Sequence, residues 1–204
     1  VWSFPNRGAW ATHKGDYRGN WAPQIPRALM LMYTQPGDIV LDPMVGGGTT
    51  AIEAKILGRN CIAVDINYNA IILTLHRLYY LEKFLEGKLA QIPLSAFIKQ
   101  KEIDPEIELA KKAWVKVYHG DARNLNKIPS ESIDLIATHP PYFNIIKYGK
   151  KEEIIEGDLS KAKTLEEYLN WMYQIAREFY RVLKPGKYCA ILIGDTRIHK
   201  HYVP

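Results

Sequence analysis

Apolar residues fall into short continuous runs separated by longer stretches with a helical repeat. Residues 38–42, 61–65, 115–119, 133–137 and 188–193 read as strands, most of them apolar enough to be buried on both faces. Between them, apolar positions recurring every three or four residues predict helices over 24–34, 49–57, 69–85 and 165–183. Pro26 is tolerated in a first turn, Gly58 and Gly87 are stops, and Pro185-Gly186 closes the last helix. Residues 1–23 read as irregular, 88–113 as a Pro-broken stretch of short helices, and 143–163 as a polar, Lys/Glu-rich loop. Strands alternating with helices make βαβ units, hence an α/β fold with a parallel sheet covered on both faces. Ligands bind such sheets at the carboxyl ends of the strands. Asp42, Asp65, Asp121 and His139 each follow or close a predicted strand.

The 204 residues are 47% hydrophobic and 24% charged, enough for one domain with a full core and unlike a disordered, collagen-like or coiled-coil chain. No apolar run approaches the roughly 20 residues of a membrane span. The opening Val1-Trp2-Ser3-Phe4-Pro5-Asn6-Arg7 does not look like a signal peptide, so a cytoplasmic location is expected. Cys61 and Cys189 sit in apolar runs and form neither a disulfide framework nor zinc-ligand spacing; no metal is expected. Lys and Arg number 27 against 22 Asp and Glu, and the resulting net charge of +5 permits a polyanionic partner. The chain lacks an initiating Met and stops soon after its fifth strand, so further strands are expected beyond Pro204.

Four motifs carry candidate chemistry. Asp42-Pro43-Met44-Val45-Gly46-Gly47-Gly48-Thr49-Thr50 is a glycine-rich turn from strand to helix, which lets a ligand approach the backbone closely. Gly46, Gly48 and Ala51 match the spacing of a dinucleotide fingerprint, while no Lys completes a Walker A loop. Asp65 can accept hydrogen bonds from ribose hydroxyls, for which an adenosyl cofactor and NAD are both suited, or can cap the Asp65-Ile66-Asn67 turn. Asp121, in Gly120-Asp121-Ala122-Arg123, can accept from an adenine amino group or serve as a turn residue. Thr138-His139-Pro140-Pro141-Tyr142-Phe143-Asn144 combines a backbone fixed by two prolines with carbonyl acceptors and aromatic rings. That suits an amino group on a flat base stacked on Tyr142 or Phe143; the competing reading is a rigid loop whose aromatics pack under a helix.

Together, the Asp-Pro-Met-Val-Gly-Gly-Gly-Thr-Thr run, His-Pro-Pro-Tyr and the strand-end acids resemble the S-adenosylmethionine-dependent amino-methyltransferases. These methylate cytosine N4 or adenine N6 in nucleic acids. Gly19-Asn20-Trp21-Ala22-Pro23-Gln24-Ile25-Pro26 looks like that family's cofactor motif preceding the glycine loop. The resemblance, covering about residues 10–195, implies a Rossmann-like sheet of order 3-2-1-4-5 and a single catalytic domain over 1–204. Within it, 1–35 would close over the cofactor and 143–163 would form a substrate loop. It places S-adenosylmethionine against Trp21, Ala22, Pro23, Asp42, Pro43, Gly46, Gly47, Gly48, Thr49, Thr50, Asp65, Ile66, Asp121 and Ala122. Thr49 and Thr50 would hold its carboxylate. His139, Pro140, Pro141 and Tyr142 would hold the target base, with Phe143, Asn144, Lys147 and Tyr148 beside them. His139 departs from the family's Asp, Asn or Ser; a neutral His accepts a hydrogen bond and a protonated one does not. No insertion is long enough for a target-recognition domain. The favoured substrate is therefore cytosine N4 in structured RNA such as ribosomal RNA, with DNA as the alternative. An NAD-dependent oxidoreductase and a non-catalytic nucleic-acid-binding relative are the readings from other classes.

Overall fold

The computed structural model describes residues 3–87, 105–143, 155, 157–194, 196–198 and 201–203. In chain order the elements are α1 (Gln24–Tyr33), β1 (Ile39–Asp42), α2 (Thr49–Ile56), β2 (Asn60–Asp65), α3 (Tyr68–Leu85), α4 (Pro105–Lys112), β3 (Val115–His119) and β4 (Ile133–Thr138). A 3₁₀ turn (Leu159–Lys161), α5 (Leu165–Val182), β5 (Leu183–Ile191), β6 (Thr196–Ile198) and β7 (His201–Val203) follow. The five-stranded sheet has the expected order β3-β2-β1-β4-β5, all parallel, with β1 at its centre.

The central strands are apolar on both faces because both are covered. Val40, Cys61, Ala63, Leu135 and Ala137 pack with Ala51, Ile52, Ile71 and Leu81 of α2 and α3. Leu41, Val64, Ile133 and Ile136 pack with Ile175, Phe179 and Val182 of α5. Alternate residues of one strand thus serve opposite layers, as the pleat requires. The Rossmann-like arrangement brings the carboxyl ends of β1, β2 and β4 to one rim.

Two segments differ from the sequence reading. β5 begins at Leu183 rather than 188, and Pro185-Gly186, expected to close the last helix ahead of the strand, lies within it. Ile133 pairs with Leu183 but Leu135 with Tyr188, so the extra residues are absorbed as a bulge, with Gly186 at φ +74°. The antiparallel hairpin β6–β7 was not expected at all. Of the short helices expected over 88–113, α4 is present, and 88–104 lie outside the described residues. No described helix is long and apolar enough to cross a membrane.

Candidate functional site

The site begins at the end of β1, the strand on whose two sides the chain winds in opposite directions. Asp42 is 1% exposed. Its carboxylate accepts from the Thr50 and Thr138 hydroxyls, the latter at 2.8 Å, and from the Met44 amide at 3.2 Å. Burial pushes its pKa up to about 6 against the pull of those donors. Asp65 ends β2 and accepts the Gly46 amide on one oxygen at 2.7 Å and the Asn67 amide on the other at 2.8 Å. Burial raises it to about 6 as well, with neighbouring Asp158 adding to the rise. At neutral pH two buried carboxylates therefore flank the glycine loop, each accepting hydrogen bonds from amides or hydroxyls. They favour a ligand that brings hydroxyl donors or positive charge.

The loop is shaped by its surroundings. Gly48 caps α2 at φ +85°, a conformation that disfavours side chains. A methyl group on Gly47 would lie 2.6 Å from Arg77 Nη1 and 2.8 Å from Asn20 Oδ1, so that position is glycine for lack of room. Thr49 and Thr50, expected to hold a cofactor carboxylate, are fully buried and do not line the cleft. The Thr50 hydroxyl is engaged on Asp42, and Thr49 Oγ1 lies 3.4 Å from Asn20 Oδ1.

The N-terminal segment is fastened over this loop. Glu53 of α2, fully buried, accepts the Trp10 indole at 2.6 Å and Arg27 at 3.0 Å, and shares a 2.7 Å hydrogen bond with His13 Nε2. The segment then runs through Tyr17, Arg18, Gly19, Asn20 and Trp21, all of which line the cleft, while Ala22 and Pro23 lead into α1 without lining it. The Trp21 ring lies nearly parallel to that of His139, with centroids 6.0 Å apart and an interplanar angle of 22°.

His139 follows β4. Its Nε2 is 2.7 Å from the Tyr142 hydroxyl, and its buried Nδ1 has no hydrogen-bond partner among the described residues. Desolvation lowers its pKa, partly offset by the Gly19 backbone, so the neutral ring that can accept a hydrogen bond is the favoured form. His139 and Pro141 line the cleft; Pro140 and Tyr142 do not. The Pro141 carbonyl accepts the Tyr168 hydroxyl at 3.0 Å. Phe143, expected against substrate, packs on Tyr168 and the α5 core layer, as the competing reading of that loop had it. Asn144, Lys147 and Tyr148 lie outside the described residues.

These walls line an open cleft, which Pro43, Met44, Ile66, Asn67 and Ala122 also line. Asp121 lines it while receiving the Arg123 guanidinium on both carboxylate oxygens and the Arg123 amide at 2.9 Å. The sequence reading also missed Gly157, Asp158, Leu159 and Ile175, which line the same cleft. Among the described residues no cluster of His, Cys, Asp and Glu could hold a metal ion. The site suits an adenosyl ligand in three respects. Asp65 is a strand-end acceptor open to hydroxyls. The cradle at Gly46 is one that a methyl group would fill, 2.9 Å from Tyr17 Cε1. Two carboxylates there can face a cation.

The sequence pattern of DNA methylases matches residues 1–74 and 133–203. The type II methyltransferase M.BamHI of Bacillus amyloliquefaciens is 32% identical over 166 residues, 77% of this chain and 35% of that protein. The tRNA (guanine(10)-N2)-dimethyltransferase of Methanocaldococcus jannaschii is 34% identical over 140 residues, 68% of this chain and 33% of that protein. The type II methyltransferase M.BglII of Bacillus subtilis is 42% identical over 72 residues, 35% of this chain and 17% of that protein. The chain thus spans about a third or less of each of these relatives.

Proposed function

The chain belongs to the DNA methylase family of N4-cytosine and N6-adenine amino-methyltransferases, whose cofactor is S-adenosylmethionine, and from that membership we propose that it methylates the exocyclic amino group of a nucleic-acid base. The observation that carries this reading is a single cleft lined by both strand-end acids, the glycine loop and a neutral His139. The nicotinamide alternative has no part for His139 to play.

The bound cofactor supplies a methyl group made electrophilic by its sulfonium. Asp65 would accept the ribose hydroxyls, Ile66, Asp121 and Ala122 would hold the adenine side, and Tyr17, Trp21 and Gly46 would face the methionine end. The base amine is a poor nucleophile because its lone pair is delocalised into the ring. His139 would accept one amine N–H at Nδ1, in the tautomer whose Nε2–H donates to the Tyr142 hydroxyl, drawing density back onto the amine and aiming it at the methyl. The Tyr142 hydroxyl, on Nε2, holds the imidazole at its angle. Asp42 contributes negative potential near the reacting centre. Positioning and electrostatics supply the acceleration, and the amine loses its proton once it carries positive charge, so no strong base is needed. The base reaches the cleft unstacked, by flipping or from a single strand.

DNA is the first substrate, on the strength of the family match and the two type II relatives. Structured RNA, with cytosine N4 as acceptor, is the second reading; the alignment with a tRNA dimethyltransferase over 68% of the chain favours it. The test is incubation with methyl-labelled cofactor and either unmodified genomic DNA or ribosomal and transfer RNA, followed by nucleoside mass spectrometry. Label on an amino group in DNA supports the first reading, and label only in RNA supports the second. Cofactor binding with no transfer to either overturns both.

A further inference from the structure

Arg77 lies on α3, 4% exposed, and does not line the cleft. One terminal nitrogen donates to the Gly47 carbonyl and the other to the Asp16 carboxylate. One turn earlier on α3, Thr74 donates to the Gly46 carbonyl at 3.0 Å. Consecutive carbonyls of the glycine loop are therefore gripped from one helix face. The same guanidinium reaches the segment of Asp16, Tyr17 and Asn20, whose last two residues crowd Gly46 and Gly47. A buried cation shared between two backbone segments is costly unless both of its partners are in place, so it favours the one arrangement that satisfies both.

We propose that Arg77 is a positioning residue that locks the glycine loop and the N-terminal segment together as the wall for the methionine end of the cofactor. The proposal rests on the cofactor reading above. It makes the two halves of that wall, about 30 residues apart in sequence, a single unit held from behind. The adenosine side, built on Asp65, Ile66, Asp121 and Ala122, meets the loop through the Gly46 amide on Asp65, whereas Arg77 grips the Gly47 carbonyl.

The test compares two ligands on the whole chain by calorimetry. S-adenosylmethionine carries the amino-acid end, and 5′-methylthioadenosine lacks it. Arg77→Met is expected to weaken S-adenosylmethionine about 10- to 100-fold while leaving 5′-methylthioadenosine within about twofold. Asp16→Asn, at a carboxylate 58% exposed, removes only the outer half of the clasp and is expected to give a smaller loss of the same selectivity. If Arg77→Met does not fold, Arg77→Lys, which satisfies one partner but not both, and Asp16→Asn decide the matter. Equal weakening of both ligands, or full affinity in every variant, overturns the proposal. Failure of the unmodified chain to bind either ligand overturns the cofactor reading and this proposal with it.

Discussion

Replacing Asp65 by Asn separates the role of its charge in folding from its role in binding. Each carboxylate oxygen accepts one backbone amide, from Gly46 at 2.7 Å and Asn67 at 2.8 Å. An amide side chain keeps one acceptor and turns an NH₂ toward the other donor, at a cost of about 1–3 kcal/mol. Against that, a pKa of about 6, compared with an ordinary 3.8, means that keeping the buried carboxylate ionised costs about 3 kcal/mol at pH 7. The two effects offset, so stability at pH 7.5 is expected to stay within about 2 kcal/mol of the unmodified chain. The pH dependence differs. The folded state holds this proton more tightly than the unfolded state, so the group's contribution is greatest below pH 3.8 and falls as pH rises through about 6. Asp65→Asn removes that share of the slope. Binding suffers regardless, because hydrogen bonds from hydroxyls to a charged acceptor are worth about 1.5–3 kcal/mol each. Calorimetric titration with S-adenosylhomocysteine at pH 7.5 should show affinity about 10- to 150-fold weaker for each such bond lost. Urea denaturation at pH 4.5 and 7.5 supplies the stability difference. Binding within threefold of the unmodified chain would remove Asp65 from the cofactor site. An unchanged pH slope would refute the raised pKa.

Other consequences follow from the same geometry. Glu53→Ala leaves Trp10, His13 and Arg27 without their shared acceptor and should cost about 3–5 kcal/mol in denaturant unfolding; a loss under 1 kcal/mol would show that the N-terminal segment is held by other contacts. Gly47→Ala forces Arg77 and Asn20 aside and should weaken cofactor binding at least tenfold with circular dichroism unchanged; full affinity would contradict the crowding. Cofactor affinity should fall progressively below about pH 6, as Asp42 and Asp65 take up protons and lose their attraction for hydroxyl donors and positive charge; a flat titration from pH 8 to 5 would count against both acids.

The sheet was legible because its central strands are buried on both faces and so stand out as apolar runs, each closed by an acid or His139 where the site forms. Less legible were polar residues that face inward. Every residue from Thr49 to Lys55 on α2 is buried, Glu53 included, and Thr74 and Arg77 share α3's inner face with Ala70, Leu78 and Leu81. An amphipathic reading assigns such side chains to solvent. The signal that could have found them is their spacing: Thr74 and Arg77 fall seven and four residues before Leu81, in register with the apolar stripe. The threonines of the glycine motif were read as ligand contacts because they begin a helix. The structure gives the Thr50 hydroxyl to Asp42, a partner eight residues back that only the folded turn brings near. Pro185-Gly186 was read as a helix stop, and the structure uses it in the bulge of β5.

The central claim is that His139 holds the accepting amine beside the cofactor, in the same cleft. Single-turnover methyl transfer by His139→Ala, at saturating S-adenosylmethionine and on whichever nucleic acid the unmodified chain methylates, tests it most directly. The expected result is cofactor affinity within about threefold of the unmodified chain and transfer slowed at least 100-fold. Transfer at the unmodified rate would contradict the assignment of His139 and, with it, the proposed chemistry of the site.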